Sequence, residues 1–153
     1  MIFSQNNYLR SNRLTKVKIK PSPEAVSLAD QILKSSGHNI RQKLSENLLD
    51  ELCDAARIDI VKLEISDARQ HHKKIAGKIA MKRYGSYRPA TKKIEIQNLT
   101  AVRGQILAPK TFLDTLLHEW LHHYDTYKLK LRSIHSKGFY LRLNDLKSKL
   151  LIK

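Results

Sequence analysis

The sequence has one cysteine, Cys53, in 153 residues, so no disulfide framework and no four-cysteine zinc ribbon can form within it. No apolar run approaches the roughly 18 residues of a membrane span. Residues 1–23 contain no acid and no apolar h-region, which argues against a secretory signal. An organellar transit peptide shares that composition. The expected compartment is therefore reducing and intracellular (cytoplasm, nucleoid or nucleus), with an organelle left open. Internal repeats and low-complexity linkers are absent too, and the length suits one domain. Acids are the scarcest class for a chain this charged: 14 Asp+Glu against 29 Lys+Arg give a net charge of +15. Few small folded proteins carry so much charge of one sign without a polyanionic partner.

The charge is segregated. Residues 1–23 hold five bases and no acid, Ala68 to Ile94 nine bases and no acid, and Thr126 to Lys153 eight bases against Asp145 alone. Residues 24–67, by contrast, carry nine acids and five bases. Within the second basic block, Tyr84 and Tyr87 alternate with Lys82, Arg83 and Arg88. Aromatics interleaved with cations can stack on unpaired nucleobases. A turn with its tyrosines packed over it explains the same residues. The charge predicts a polyanionic partner, and with stacking tyrosines the candidate is DNA, single-stranded or with exposed bases.

The elements follow from periodicity. Residues 1–22 lack an apolar stripe and read as a flexible basic arm, ahead of a single domain over 23–153. Ala25, Leu28, Ala29, Ile32 and Leu33 predict a helix over 24–35. A helix over 39–56 follows, with Asn39 and Gln42 at capping-box spacing and Ile40, Leu44, Leu48, Leu52 and Ala55 along one face. Strand alternation marks three segments: Val61–Ile65, Lys78–Lys82 and Lys93–Gln97. Between the last two, Tyr84–Pro89 reads as a turn. Thr111 and Asp114 again have capping-box spacing. The helix they open is apolar on most of its surface (Phe112, Leu113, Leu116, Leu117, Trp120, Leu121, Tyr124), which predicts burial. A last helix covers 137–150. The expected architecture is α+β, a small three-stranded sheet packed on helices.

The buried helix carries His118-Glu119-Trp120-Leu121-His122, an H-E-x-x-H motif. Histidines four apart lie one turn apart on the same face, so two imidazoles can grip one metal ion from one side. Glu119 projects about 100° away, near the ion's open position rather than in the ligand set. Chance alone produces the three fixed positions about once in 80 chains of this composition, so the mid-helix apolar context matters more than the match. A catalytic zinc needs a third protein ligand and an open fourth position. No Glu follows Glu119, and Asp125 and Lys128 replace the Gly and His of the extended H-E-x-x-H-x-x-G-x-x-H motif. His123, Asp125, His135 and Asp145 remain. Asp125 shares the face of His118 and His122 and suits a ligand or a hydrogen-bond partner of one. His135, in a polar connection 13 residues on, can fold back over the helix and is the favoured ligand.

His118–His122, followed by His135-Ser136-Lys137-Gly138-Phe139, resembles the SprT-like zinc metalloprotease family, to which the Spartan-type DNA–protein crosslink proteases belong. The family pattern is H-E-x-x-H and then H-G-x-x-F opening a helix, preceded by a strand of the type I-E-L-N. Here Ile94-Glu95-Ile96-Gln97-Asn98 stands for that strand, and Ser136 replaces the glycine. The likeness spans roughly residues 40–150 and lacks the C-terminal cysteine ribbon of many bacterial members. It implies a zincin-like protease domain with one Zn2+ on His118, His122 and His135, Glu119 as catalytic base, and protein substrates near or crosslinked to DNA. The strand Ile94–Gln97 is a candidate edge to which a substrate strand adds. Two other readings fit the residues: a zinc peptidase whose charge serves acidic proteins, and a nucleic-acid-binding module with a structural or inactive metal site.

Overall fold

The computed structural model describes residues 2–69, 73–75, 78–81, 84–100 and 104–152. Lys82 and Arg83 lie outside the described residues. The elements are α1 (Ile2–Arg13), α2 (Pro23–Leu33), α3 (His38–Ala56), β1 (Lys62–Arg69), β2 (Lys73–Ile75), β3 (Lys78–Met81), β4 (Gly85–Arg88), β5 (Lys93–Leu99), α4 (Pro109–Tyr127) and α5 (Lys137–Lys149). The protein is thus α+β, with a three-stranded sheet packed on helices. Among the described residues, no helix is long and apolar enough to cross a membrane.

The helices begin where local chemistry supports them, and twice not where spacing suggested. Ser22 caps α2, its hydroxyl accepting from Ala25 N at 3.1 Å, with Pro23 preset for the first turn. Ser136 caps α5 in the same way, accepting from Phe139 N at 3.1 Å. For α3 the cap is Gly37, without a side-chain bond. Gln42, predicted as half of a capping box, instead bridges to β1: its Nε2 donates to Leu63 O at 2.8 Å and its Oε1 accepts from Ile65 N at 3.0 Å. Ile40 is exposed, and the buried face of α3 runs through Leu48, Leu49, Leu52, Cys53 and Ala56. α4 starts at Pro109, two residues before the predicted Thr111 cap, and Asp114 pairs with Lys147 on α5 at 3.0 Å.

The sheet order is β1-β5-β4, with β5 parallel to β1 and antiparallel to β4. Two expectations change here. The Lys78–Lys82 strand does not join this sheet: β3 pairs with β2 in a separate hairpin. Its place is taken by β4, from the segment that turn-forming Gly85 and Ser86 made look like a turn. A glycine is needed because β4 lies against α4; a Cβ at Gly85 would sit 2.7 Å from Thr115 Cγ2 and 3.1 Å from Glu119 Cγ. The chain then reverses at Pro89–Lys92, where Lys92 takes φ 52°.

α4 runs through the core. Phe112, Leu113, Leu116, Leu117, Trp120, Leu121 and Tyr124 are all fully buried, against α2, α3, α5 and the inner side chains Ile94 and Ile96 of β5. At about 1.5–3 kcal/mol per large apolar side chain, this helix is fixed by tertiary packing far more than by helix propensity. Asn98 of β5 is also buried and accepts from the Arg41 guanidinium of α3 at 2.8 Å.

Residues 1–22 differ from the flexible arm that their poor periodicity predicts. Residues 2–13 form α1, and Val17 and Ile19 are buried in the core. Val17 N donates to Asp145 at 2.9 Å and Lys18 N to the Tyr124 hydroxyl at 2.8 Å. The segment is held by hydrogen bonds to distant residues, which leave no repeat in the sequence.

Candidate metal centre

α4 presents His118 and His122 one turn apart, with ring centroids 5.0 Å from each other. The connection from Lys128 to Ser136 returns over the helix and places His135 Nε2 3.0 Å from both His118 Nε2 and His122 Nε2. One ligand atom from each residue lies within 4.8 Å of the others, so these three histidines are close enough to hold a metal ion. Imidazole nitrogens at 2.0–2.1 Å around a tetrahedral zinc stand about 3.3 Å apart, close to what is seen.

The surroundings favour metal-ready imidazoles. Phe139, at the first turn of α5, stacks on His122 (centroids 4.7 Å, 24°) and meets His118 and His135 edge-on at 5.0 and 5.4 Å. Burial, reinforced by the neighbouring imidazoles, brings His118 down to about 4 and His122 to about 3. Both are neutral at pH 7, with lone pairs to donate.

The tautomer of His122 is set by a relay. Ser133 Oγ donates to Asp125 Oδ2 at 3.0 Å, so its 2.8 Å contact with His122 Nδ1 is a bond from the ring N–H. That leaves Nε2 unprotonated, facing the cluster. Arg142 of α5, fully buried, holds both oxygens of Asp125 at 3.1 and 2.8 Å. Burial pushes the Asp125 carboxyl up, while the Arg142 guanidinium and the Ser133 hydroxyl pull it down. Asp125 therefore stays outside the cluster and reaches a histidine only through Ser133, not by a direct bond.

Glu119 is 6% exposed, and its Oε1 lies 3.9 Å from His118 Nε2, beside the cluster and outside the ligand set. It opens onto a cavity of about 1130 Å³ that also contains the three histidines. One wall is Tyr84, Gly85 and Tyr87 of the β4 segment; another is Tyr140, Asn144 and Lys147 of α5.

Other sequence candidates fall elsewhere. His123 is fully buried, donating from Nε2 to Asp59 O at 2.8 Å and accepting at Nδ1 from the Tyr87 hydroxyl at 2.6 Å. Burial pushes the Tyr87 phenol above its ordinary range, so it keeps the proton it donates. Tyr84 and Tyr87 are both partly buried against the core, and Arg88 is exposed at the end of β4. Asp145 pairs with Lys149 at 2.9 Å. Ile94–Gln97 is not an edge: β5 is the central strand, bonded on both sides, and β4 occupies the border position next to the cavity. Within the basic block, Lys92 pairs with Asp59 and Lys93 with Glu64, each at 2.6 Å.

Sequence reasoning missed Ser133, Arg142 and Tyr140. Arg142 alone left a trace: it falls on the α5 face shared by Phe139, Leu143 and Leu146, where a cation must have a buried partner. Compared with known proteins, the chain matches no family model, no curated protein and no solved structure.

Proposed function

We propose that this protein is a zinc-dependent endopeptidase with a zincin-like fold. The observation that carries the reading is three imidazole Nε2 atoms converging beside a nearly buried carboxylate, Glu119, at the floor of an open cavity. The donor set is three imidazole nitrogens, which suits zinc and leaves a fourth position. His118, His122 and His135 would hold the ion, and zinc, when bound, supplies the Lewis acidity that activates a water at neutral pH. Glu119 accepts the proton of the attacking water and delivers it to the leaving nitrogen. Ser133 and Asp125 keep His122 in the tautomer that faces the ion. A substrate segment adds in extended form beside β4, which among the described residues borders the three-stranded sheet next to the cavity.

The resemblance to SprT-like proteases and the net charge of +15 support substrates that are DNA-associated or DNA-crosslinked proteins. The pairing of Lys92 with Asp59 and Lys93 with Glu64 favours a second reading, a zinc peptidase that acts without DNA.

The test is digestion of casein and of histones by purified protein, with and without single-stranded DNA and chelator, beside metal analysis. One zinc per chain, chelator-sensitive cleavage and loss of zinc in His135→Ala are expected; chelator-resistant cleavage would remove the metal mechanism. Stimulation by DNA, with binding whose log K falls against log salt with a slope of about −3 for four single-strand phosphates, separates the first reading from the second. No DNA binding at low salt would leave the second.

A further inference from the structure

His118 and His122 are placed by the helix they ride on. His135 is placed by a nine-residue connection, Lys128–Ser136, that has no regular structure. Its own backbone bonds are few: Lys128 N, Leu129 N and Leu131 N reach back to α4, and Ser136 N bonds Ile134 O at 2.9 Å. Leu129 and Leu131 pack into the core, Ser133 bonds Asp125 and His122, and a further set of anchors comes from α1, more than a hundred residues earlier in the chain. Asn7 Nδ2 donates to Arg132 O at 2.8 Å, and Arg132 N donates to Asn7 Oδ1 at 2.8 Å, so one side chain pairs with that residue as a neighbouring strand would. The Arg10 guanidinium donates to the carbonyls of Leu129 and Lys130. Ser11 Oγ bonds Ser136 Oγ at 2.7 Å, and Asn12 Oδ1 accepts from Gly138 N at 2.9 Å. The backbones touch there: a Cβ on Gly138 would lie 2.0 Å from Ser11 O. Arg142 joins both systems, donating to Ser11 O at 2.6 Å while it holds Asp125, which holds Ser133 on His122.

We infer that α1 is a positioning element of the metal centre, and that Asn7 and Asn12 are positioning residues for His135. Their bonds lie three residues before and three residues after it, and the Ser11–Ser136 bond is adjacent. The inference rests on reading the three histidines as a metal site. Its physical content is preorganisation. A site whose third ligand is in place only a fraction of the time binds with its affinity reduced by that fraction. Loss of a group that orients a ligand typically weakens metal binding 10–100-fold.

The experiment measures the zinc dissociation constant of the full chain by competition with a chromophoric chelator. The variants are Asn7→Ala, the Asn7→Ala/Asn12→Ala double, and Asn12→Asp, which keeps the acceptor for Gly138 N–H. Ser22→Ala serves as control, because it removes the cap of α2, remote from the cluster, and lowers stability without touching the 128–138 segment. The double variant is expected to bind zinc at least tenfold more weakly. Asn7→Ala should fall between it and the wild type, and Asn12→Asp and Ser22→Ala should stay near the wild type. With cobalt in place of zinc, the visible absorption that marks four-coordination should fall in the double variant only. Unchanged zinc affinity in the double variant, with zinc lost in His135→Ala, would reduce α1 to scaffolding and overturn the inference while the metal site stands. No zinc binding by the wild type, or wild-type affinity in His135→Ala, would overturn the metal site and the inference with it.

Discussion

Helix α4 and the connection after it feed the same cluster of histidines, and different forces order them. α4 is enclosed: seven large apolar side chains along it are fully buried, and His118 and His122 cannot leave their positions without moving the core. The connection exposes His135; Leu129 and Leu131 anchor its first half in the core, and the stretch around His135 is tied down by polar bonds, several of them to α1. Packing cannot be lost piecemeal, whereas hydrogen bonds to a distant segment can be removed one at a time. The two halves of the site should therefore fail differently.

The largest effect should come from the α4 half. Glu119→Gln is expected to lower casein cleavage by about 10²–10⁴-fold, the range for a proton-transfer group, while zinc content and circular dichroism stay as in the wild type. Cleavage at the wild-type rate by this variant would show that another group takes the proton.

Next in size is the joint between the halves. Arg142→Leu leaves the Asp125 carboxylate buried without its partner, and removal of one member of such a pair costs about 3–5 kcal/mol. Urea unfolding of the metal-free variant should show that loss, and a loss below about 1 kcal/mol would mean that Asp125 finds another partner.

Acid should act on the α4 half as well. Because His118 and His122 titrate at about 4 and about 3 in the folded chain, below the ordinary 6.5, the unfolded chain takes up protons first as pH falls. These two histidines therefore leave the stability of the metal-free protein undiminished above pH 6.5 and lower it progressively as pH falls through about 4 and about 3. Denaturation midpoints across that window should drop, and a His118→Ala/His122→Ala variant should flatten the slope. An unchanged slope would place the acid sensitivity elsewhere.

The smallest effect belongs to the far end of the connection. Ser136→Ala removes the cap of α5 and the bond to Ser11 Oγ, and should lower stability by about 1–2 kcal/mol. A near-zero change would mean that water satisfies the Phe139 N–H.

Much of this molecule was legible in the chain, and the failures share a cause. α2 and α5 were found because their apolar spacing is local; their caps, Ser22 and Ser136, were not read from the sequence. Asn39/Gln42 and Thr111/Asp114 have the spacing of capping boxes, yet Gln42 bonds β1 and Asp114 pairs with α5, since a polar side chain takes the best partner in space. Gly85 and Ser86 suggested a turn, and the close approach of α4 made the same glycine a requirement of a strand.

By itself the sequence determined the helix that carries His118, Glu119 and His122, because four-residue spacing and an apolar surface are properties of one helix. It also narrowed the third member of the cluster to a few residues, with His135 favoured. Only the tertiary structure decided that His135 closes the cluster, that Asp125 serves through Ser133, that Arg142 neutralises it, and that β4 borders the cavity. Each of those depends on contacts between residues far apart in the chain, whose pairing becomes defined only once the core has brought their elements together.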